Sequence, residues 1–337
     1  MNIKMTSLLL IATVFVGMNT QTAFAKDIFY YIGYGMVQVV DGDTDAIVAD
    51  IPVDGWIRDS EFSADRKFLY VIAKRHLIHK IDLAENRVVS TVDLNGNGWD
   101  RFIYGFGLAA DGKSAFVNLL ARSTNSGEVV VAAPILAQID LERGRILRSI
   151  EVPWGSATLL PVKNATNIYV IGKDIVKVDV SGEEMKVIGT YPMFEKQWNI
   201  LPFWDYKMEN DGVFIGNYYT PEIMGLVSID TNTGEISDTP LDGPPVFAYS
   251  VIRSPDKKKA YAVMDELTVI DLETRSYGPI IPIPAGTCYA VNVSSDGKKI
   301  YVSGGGSTTT VFAAETLKPI KVLQMETDGM DFRRLTF

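Results

Sequence analysis

The chain has 337 residues, of which 47% are hydrophobic, with a formal net charge of −9, two histidines and a single cysteine. An acidic chain without a clustered Lys/Arg stretch lacks the basic surface that phosphate neutralisation needs, so nucleic acid is not an expected partner. One cysteine excludes an intrachain disulfide, a Cys-x-x-Cys-His haem attachment and a thiolate zinc cluster.

Residues 1–25 read as a secretory signal. Lys4 supplies the positive start, Ser7 to Met18 the apolar run, and Ala23-Phe24-Ala25 a small-x-small cleavage site. The apolar run is shorter than the roughly 20 residues that cross a bilayer, so no membrane span is expected and the mature chain should begin near Lys26. Residues 26–337 then read as one closed domain.

From Lys26 onward an aromatic residue recurs at the centre of a β-rich run: Tyr30, Tyr70, Phe116, Tyr169, Phe214, Tyr261 and Tyr301. The steps are 40, 46, 53, 45, 47 and 40 residues, near the roughly 40 to 45 of a four-stranded propeller blade. Hydrophobic-Asp pairs follow the aromatics at Val40-Asp41, Ile81-Asp82, Ile139-Asp140, Val178-Asp179, Ile229-Asp230 and Ile270-Asp271, with Phe312-Ala313 a decayed copy. The period predicts an all-β, seven-bladed propeller of four-stranded blades. Residues 57–94 show the unit, with strands at Ile57–Ser63, Phe68–Ala73, Leu77–Leu83 and Val88–Leu94. The entry strand Ile28–Ile32 matches a second strand, and the tail Asp331–Phe337 matches an innermost one. The C-terminal strand is therefore expected to complete the N-terminal blade, leaving no exposed sheet end.

Most aspartates and many glycines fall in the turns, as in Asp111-Gly112-Lys113, Asp211-Gly212, Asp230-Thr231-Asn232-Thr233-Gly234 and Asp296-Gly297-Lys298. Asp there bonds nearby backbone and Gly accepts positive φ, so these carboxylates are hairpin devices and not acid-base candidates. Asp41-Gly42-Asp43-Thr44-Asp45 invites a calcium reading, but Ala46 and Pro52 stand where an EF-hand loop needs Gly and Glu; a solvated turn fits better. His76 and His79 lie three apart on an alternating strand, hence on opposite faces, which disfavours a shared metal. Gly304-Gly305-Gly306 lacks the Lys and helix of a phosphate loop.

Chemistry on a propeller gathers where loops converge near the axis. The connectors that lead from an outermost strand to the next innermost one carry or adjoin all five tryptophans, Trp56, Trp99, Trp154, Trp198 and Trp204. Phe247 with Tyr249, and Cys288 with Tyr289, take their place in two others. Large rings with a polar handle suit an interface or a lipophilic pocket, and each could equally plug a gap between wedge-shaped blades. The candidate cavity or interface residues are Trp56, Trp99, Trp198, Phe203, Trp204, Phe247 and Tyr289. The charged neighbours Arg58, Asp59, Asp100, Arg101 and Asp205 read as loop ties. Tyr218–Glu222 and Ala121–Ala133 are insertions, the latter a candidate partner contact.

Val246-Phe247-Ala248-Tyr249-Ser250, Ser254-Pro255-Asp256-Lys257, Tyr289-Ala290-Val291-Asn292-Val293-Ser294-Ser295-Asp296-Gly297 and Ala314-Glu315-Thr316-Leu317 together resemble the β subunit of quinohaemoprotein amine dehydrogenase. Tyr104–Lys113 and Asn217–Thr220 extend the resemblance over most of the mature chain. It implies a periplasmic heterotrimer that oxidises primary amines, with cysteine tryptophylquinone on a small γ subunit and haem c on a dihaem α subunit. The β propeller would hold no cofactor, carry no catalytic or metal-binding residue, and wall part of the substrate cavity. Two other readings stay open: a free-standing periplasmic propeller that binds a protein or ligand through its aromatic face, and a self-contained hydrolase or lactonase, which the scarcity of histidine disfavours.

Overall fold

A computed structural model describes residues 26–123, 127–161, 166–200, 212–284 and 286–337. In chain order the strands begin with β1 (Asp27–Asp41), β2 (Ala46–Phe62), β3 (Phe68–Ala73), β4 (Leu77–Asp82) and β5 (Arg87–Asp93). Next come β6 (Trp99–Leu108), β7 (Ser114–Ser123), β8 (Val130–Val131), β9 (Ile135–Asp140) and β10 (Ile146–Glu151). A third group is β11 (Thr158–Pro161), β12 (Asn167–Ile171), β13 (Ile175–Asp179) and β14 (Lys186–Tyr191), and a fourth β15 (Asn199–Ile200), β16 (Val213–Tyr219), β17 (Met224–Asp230) and β18 (Glu235–Pro240). Then follow β19 (Ser250–Arg253), β20 (Lys259–Val263), β21 (Glu266–Asp271) and β22 (Ser276–Pro282), then β23 (Ala290–Val293), β24 (Lys299–Gly304), β25 (Thr308–Ala313) and β26 (Pro319–Gln324), and last β27 (Gly329–Thr336).

The expectation of seven separate four-stranded blades is corrected by this sheet order. The strands fall into six hydrogen-bonded sheets: one of six strands, in the order β27-β1-β2-β3-β4-β5, one of five, and four of four. The propeller is therefore six-bladed by its sheets. The physical cause is the length of β1 and β2, 15 and 17 residues. β2 pairs with β1 from Ala46 to Trp56 and with β3 from Ile57 to Phe62. The units of Tyr30 and Tyr70 thus share one sheet, where elsewhere a coil such as 152–157 separates successive units. β8 adds the fifth strand of the second sheet by pairing with the end of β7.

β27, the last strand of the chain, lies antiparallel to the first half of β1, from Asp27 against Thr336 to Gly33 against Gly329. The core is a set of apolar wedges between sheets. One gathers Tyr70, Ile72, Ile103, Phe106 and Val117, and another Phe29, Tyr31, Tyr301, Val311 and Phe332. These are the inward positions of alternating strands, and their β-branched and aromatic side chains fit that pleated surface.

Polar side chains on the innermost strands tie neighbouring units together. Asp59 Oδ2 accepts the Phe106 N–H at 2.9 Å and Oδ1 the Ser60 N–H at 2.7 Å. Glu61 accepts the Leu108 N–H at 2.9 Å, Ser60 Oγ donates to Asp331 at 3.1 Å, and Asn292 Nδ2 donates to the Phe332 carbonyl at 2.6 Å. Asp59→Ala should cost about 1–3 kcal/mol, because it strands buried backbone donors. Denaturation midpoints check this; a midpoint within error of the parent chain would mean that the tie contributes nothing.

The turn aspartates do what their sequence context suggests. Asp82 Oδ1 accepts the N–H groups of Ala84 and Glu85, Asp140 those of Glu142 and Arg143, Asp230 those of Asn232 and Thr233, and Asp271 those of Glu273 and Thr274. Asp41 likewise holds Asp43 and Thr44. Asp45 departs from the solvated-turn reading. It is buried, accepting the Tyr301 hydroxyl at 2.6 Å and Lys299 Nζ at 2.8 Å, and so locks this turn onto β24.

Candidate functional site: the connector face

Within each sheet the strands run antiparallel from the inside outward. Connectors between successive units therefore open on the same face as the turns between second and third strands. The Asp-rich turns lie on the other face. One side of the ring is studded with Asp turns, while the other collects the connector aromatics.

Trp56 sits where β2 leaves β1, half-buried, with the Arg75 guanidinium 5.6 Å from its ring centroid. Arg75 also lies 5.2 Å from the Tyr104 ring and donates to the Tyr104 hydroxyl at 3.1 Å. Arg58 approaches the same ring at 5.7 Å. Two guanidinium groups and two aromatic rings thus form one cation-π cluster, each contact worth about 0.5–2 kcal/mol according to its desolvation. Arg58 and Tyr104 are each the extra residue of a β-bulge. The β2/β3 register jumps between Ile57 and Asp59, and the β6/β7 register between Ile103 and Gly105. A bulge re-aims the side chain it carries, and here it turns both out of the strand alternation.

Of the other sequence candidates, Trp99 opens β6, half-buried, and bridges to Gly96 across a tight turn. Arg101 and Asp100 beside it serve as loop ties: Arg101 Nη1 donates to the Leu94 carbonyl at 2.6 Å, and Arg122 pairs with Asp100 at 3.1 Å. Trp198 is partly buried in a wedge. It stacks on Tyr218 at 4.0 Å and 15°, packs against the cluster of Leu160, Tyr169 and Met193, and carries Lys196 at 4.5 Å. Phe247 is exposed, its ring 4.9 Å from that of buried Tyr219. Tyr289 is half-buried and 5.3 Å from Tyr249. Phe203, Trp204 and Asp205 lie outside the described residues, as do residues 1–25. The structure brings Trp56 into a cluster with Arg58, Arg75 and Tyr104; it does not bring Trp99, Trp198, Phe247 and Tyr289 to one point.

Sequence reasoning missed Arg75, Tyr104 and Trp154's neighbour Asn118. Arg75 follows Lys74 and precedes His76 in a second-to-third strand turn, and that basic triplet on the connector face was the available signal. Where the second sheet meets the coil leading to the third, Tyr104, Asn118, Pro134, Val152 and Trp154, joined by Arg58 from the first sheet, line a cavity of about 290 Å³. The insertion at Ala121–Ala133 supplies β8, where Val129, Val130 and Val131 are exposed.

Among the described residues, both histidines have hydrogen-bond partners and the cysteine is enclosed by its surroundings. His76 Nδ1 is paired with Asp93 at 2.8 Å, and His79 Nδ1 with Thr91 Oγ1 at 2.7 Å. Burial holds the His79 pKa below the usual imidazole value. Cys288 is buried, and burial pushes its thiol up to about 12, so no thiolate is presented at neutral pH. Among the described residues no group of three or more His, Cys, Asp or Glu is placed to hold a metal ion. Nor, among them, is any helix long and apolar enough to cross a membrane.

Neither a family model nor a curated protein matches the chain. Solved structures do. A hydrazine synthase chain from Kuenenia stuttgartiensis aligns with TM-score 0.57 and 16% identity, covering 87% of this chain and 90% of that one. A protein of unknown function from Desulfotomaculum acetoxidans DSM 771 aligns with TM-score 0.62 and 11% identity over 91% and 98%. The dihydro-heme d1 dehydrogenase NirN, solved in complex with DHE, aligns with TM-score 0.56 and 16% identity over 91% and 74%. At these identities the likeness carries the fold, and with the sheet order it defines the class: an all-β propeller. None of the three is an amine dehydrogenase by its printed name.

Proposed function

We propose that this chain is a cofactor-free propeller subunit of an exported redox assembly, and more finely the β subunit of a quinohaemoprotein amine dehydrogenase. The observation that carries the reading is the two-sided ring. Its connector face gathers Trp56, Arg75, Tyr104, Trp154 and Phe247, aromatic and Arg side chains of the kind enriched at binding hot spots. The opposite face spends its carboxylates on turns. One of the structurally similar proteins, the dihydro-heme d1 dehydrogenase, is a redox enzyme by name, which supports a propeller serving redox chemistry. In this reading the partners are a quinone-bearing γ subunit and a dihaem α subunit, docked on the connector face, and Trp56, Trp99, Trp198, Phe203, Trp204, Phe247 and Tyr289 remain its proposed contact set. Export through residues 1–25 to the periplasm belongs to the same proposal.

Affinity purification of the tagged chain from its native source tests it. Haem absorption and a small quinone-staining chain should co-purify. Phe247→Ala combined with Arg75→Ala should weaken the association by about 2 kcal/mol or more, as expected of a hot-spot pair, without changing the fold. A colourless monomer would remove the assembly and leave the binding module.

A further inference from the structure

We infer that the cavity where the second sheet meets the coil leading to the third, with Arg58 of the first sheet at its edge, is a binding site for a small apolar carboxylate, a chemistry separate from any amine handled by the assembly proposed above. Its volume, about 290 Å³, is near the lower end of ligand sites, at roughly 300 Å³ and above. The polar end is built from three side chains. Arg58 and Tyr104 are both delivered by bulges, on two successive innermost strands, and both line this cavity. Two independent register breaks that aim into one space are better explained by a site than by packing alone.

Asn118 is the third. It is 2% exposed, and among the described residues neither its amide nitrogen nor its amide oxygen has a hydrogen-bond partner. Along β7 the apolar side chains Val117 and Leu119 pack into the wedge shared with Tyr70 and Phe106, so Asn118 sits on the opposite side of the strand, among the cavity residues. Buried amides are ordinarily satisfied. Arg58 shows the same condition: its Nε is buried without a partner, and among the described residues its guanidinium meets the Tyr104 ring but no carboxylate.

The donor set names the ligand. Among the described residues no Asp or Glu lines the cavity, so an ammonium group would face Arg58 with nothing among them to offset the repulsion. A carboxylate accepts from Arg58 and from Asn118 Nδ2 together, the charge-assisted arrangement that is strongest away from water. Asn118 Oδ1 is then left for a hydroxyl or N–H where the ligand carries one. Pro134, Val152 and Leu120 enclose an apolar body, and Trp154, 60% exposed, stands at the rim. A phenyl or branched alkyl group on a one- to three-carbon acid matches this volume and polarity.

Titration of the full mature chain with phenylacetate and, separately, with phenethylamine, followed by calorimetry and by tryptophan fluorescence, tests the assignment. Phenylacetate should bind saturably and perturb the Trp154 emission, and phenethylamine should bind at least tenfold more weakly. Arg58→Met and Asn118→Leu should each weaken phenylacetate at least tenfold, while Arg58→Lys should retain part of the affinity. Asn118→Leu, which replaces the unpartnered amide by an apolar group of the same branching with the cavity beside it to take the added volume, should melt no lower than the parent chain. Should Arg58→Met fail to fold, Asn118→Leu together with Trp154→Phe, which should abolish the emission change, carries the test. Absence of saturable phenylacetate binding, equal binding of the amine, or carboxylate affinity indifferent to the variants would each overturn the proposal.

Discussion

Phe332→Ala is expected to destabilise the chain by about 3–5 kcal/mol, the range for truncating a fully buried phenylalanine. Phe332 is 0% exposed in β27 and stacks on Phe29 at 5.0 Å and on Tyr301 at 5.4 Å, with Tyr31 edge-on at 6.3 Å. These rings come from β1, β24 and β27, so one side chain joins both ends of the chain to the neighbouring sheet. The gap left by alanine has little room to collapse. Tyr31 is already pressed onto bare Gly329, where an added Cβ would lie 2.1 Å from its ring, and its hydroxyl is anchored on the Thr327 carbonyl at 2.7 Å. Removal of Phe332–Phe337 should go further and abolish the cooperative transition, because it strips β1 of its partner strand. Chemical denaturation followed by fluorescence measures both; a Phe332→Ala midpoint equal to that of the parent would show that the end-to-end cluster is dispensable.

Acid should unfold this protein through its turns. The hydrogen bond and charge of Lys26 hold the Asp41 carboxyl down, to about 2 from an ordinary 3.8. Backbone N–H groups do the same at Asp140, Asp230 and Asp271, and the Ser181 hydroxyl at Asp179. A carboxylate whose folded pKa is depressed stabilises the fold fully above its unfolded value and loses that contribution as pH falls through the folded one. Stability should therefore be level above about pH 5 and fall steeply between pH 4 and 2. Asp331 works in the opposite sense. Burial raises its pKa, with Arg333 at 3.8 Å opposing, so its protonation on acidification favours the folded chain. One such group against a whole face of depressed turn carboxylates leaves the net effect destabilising. Asp41→Asn should forfeit on the order of 1 kcal/mol at pH 7, the shift being discounted for solvent screening, and should flatten the acid limb. Melting curves from pH 7 to 2 check this; a melting temperature rising toward pH 2 would reverse the argument.

The strands, their aromatic centres and the Asp turns were legible in the sequence because each rests on neighbours within a few residues. Asp140 and its two N–H partners lie within three positions, and the unbroken apolar run Phe68–Ala73 declares a strand buried on both faces. The number of separate sheets was not legible. Asp54-Gly55 reads as a turn between units, yet β2 runs through it from one unit into the next, and a hydrogen-bond path is a property of two strands together. Trp198 shows the same limit at the site. Its connector position suggests a functional ring, while its stacking on Tyr218, twenty residues later, is set by packing that the local sequence does not show.

What the sequence by itself determined is the all-β repeat, the turn role of its aspartates and the gathering of aromatics in one class of connector, all consequences of local periodicity and turn chemistry. The tertiary structure alone decided the six-sheet count and the seating of Asp45 against Tyr301, 256 positions away. It also decided the convergence of Arg58, Tyr104 and Asn118 on one cavity. Those outcomes depend on bulges and on long-range packing, which set where a side chain points only after two distant strands have paired.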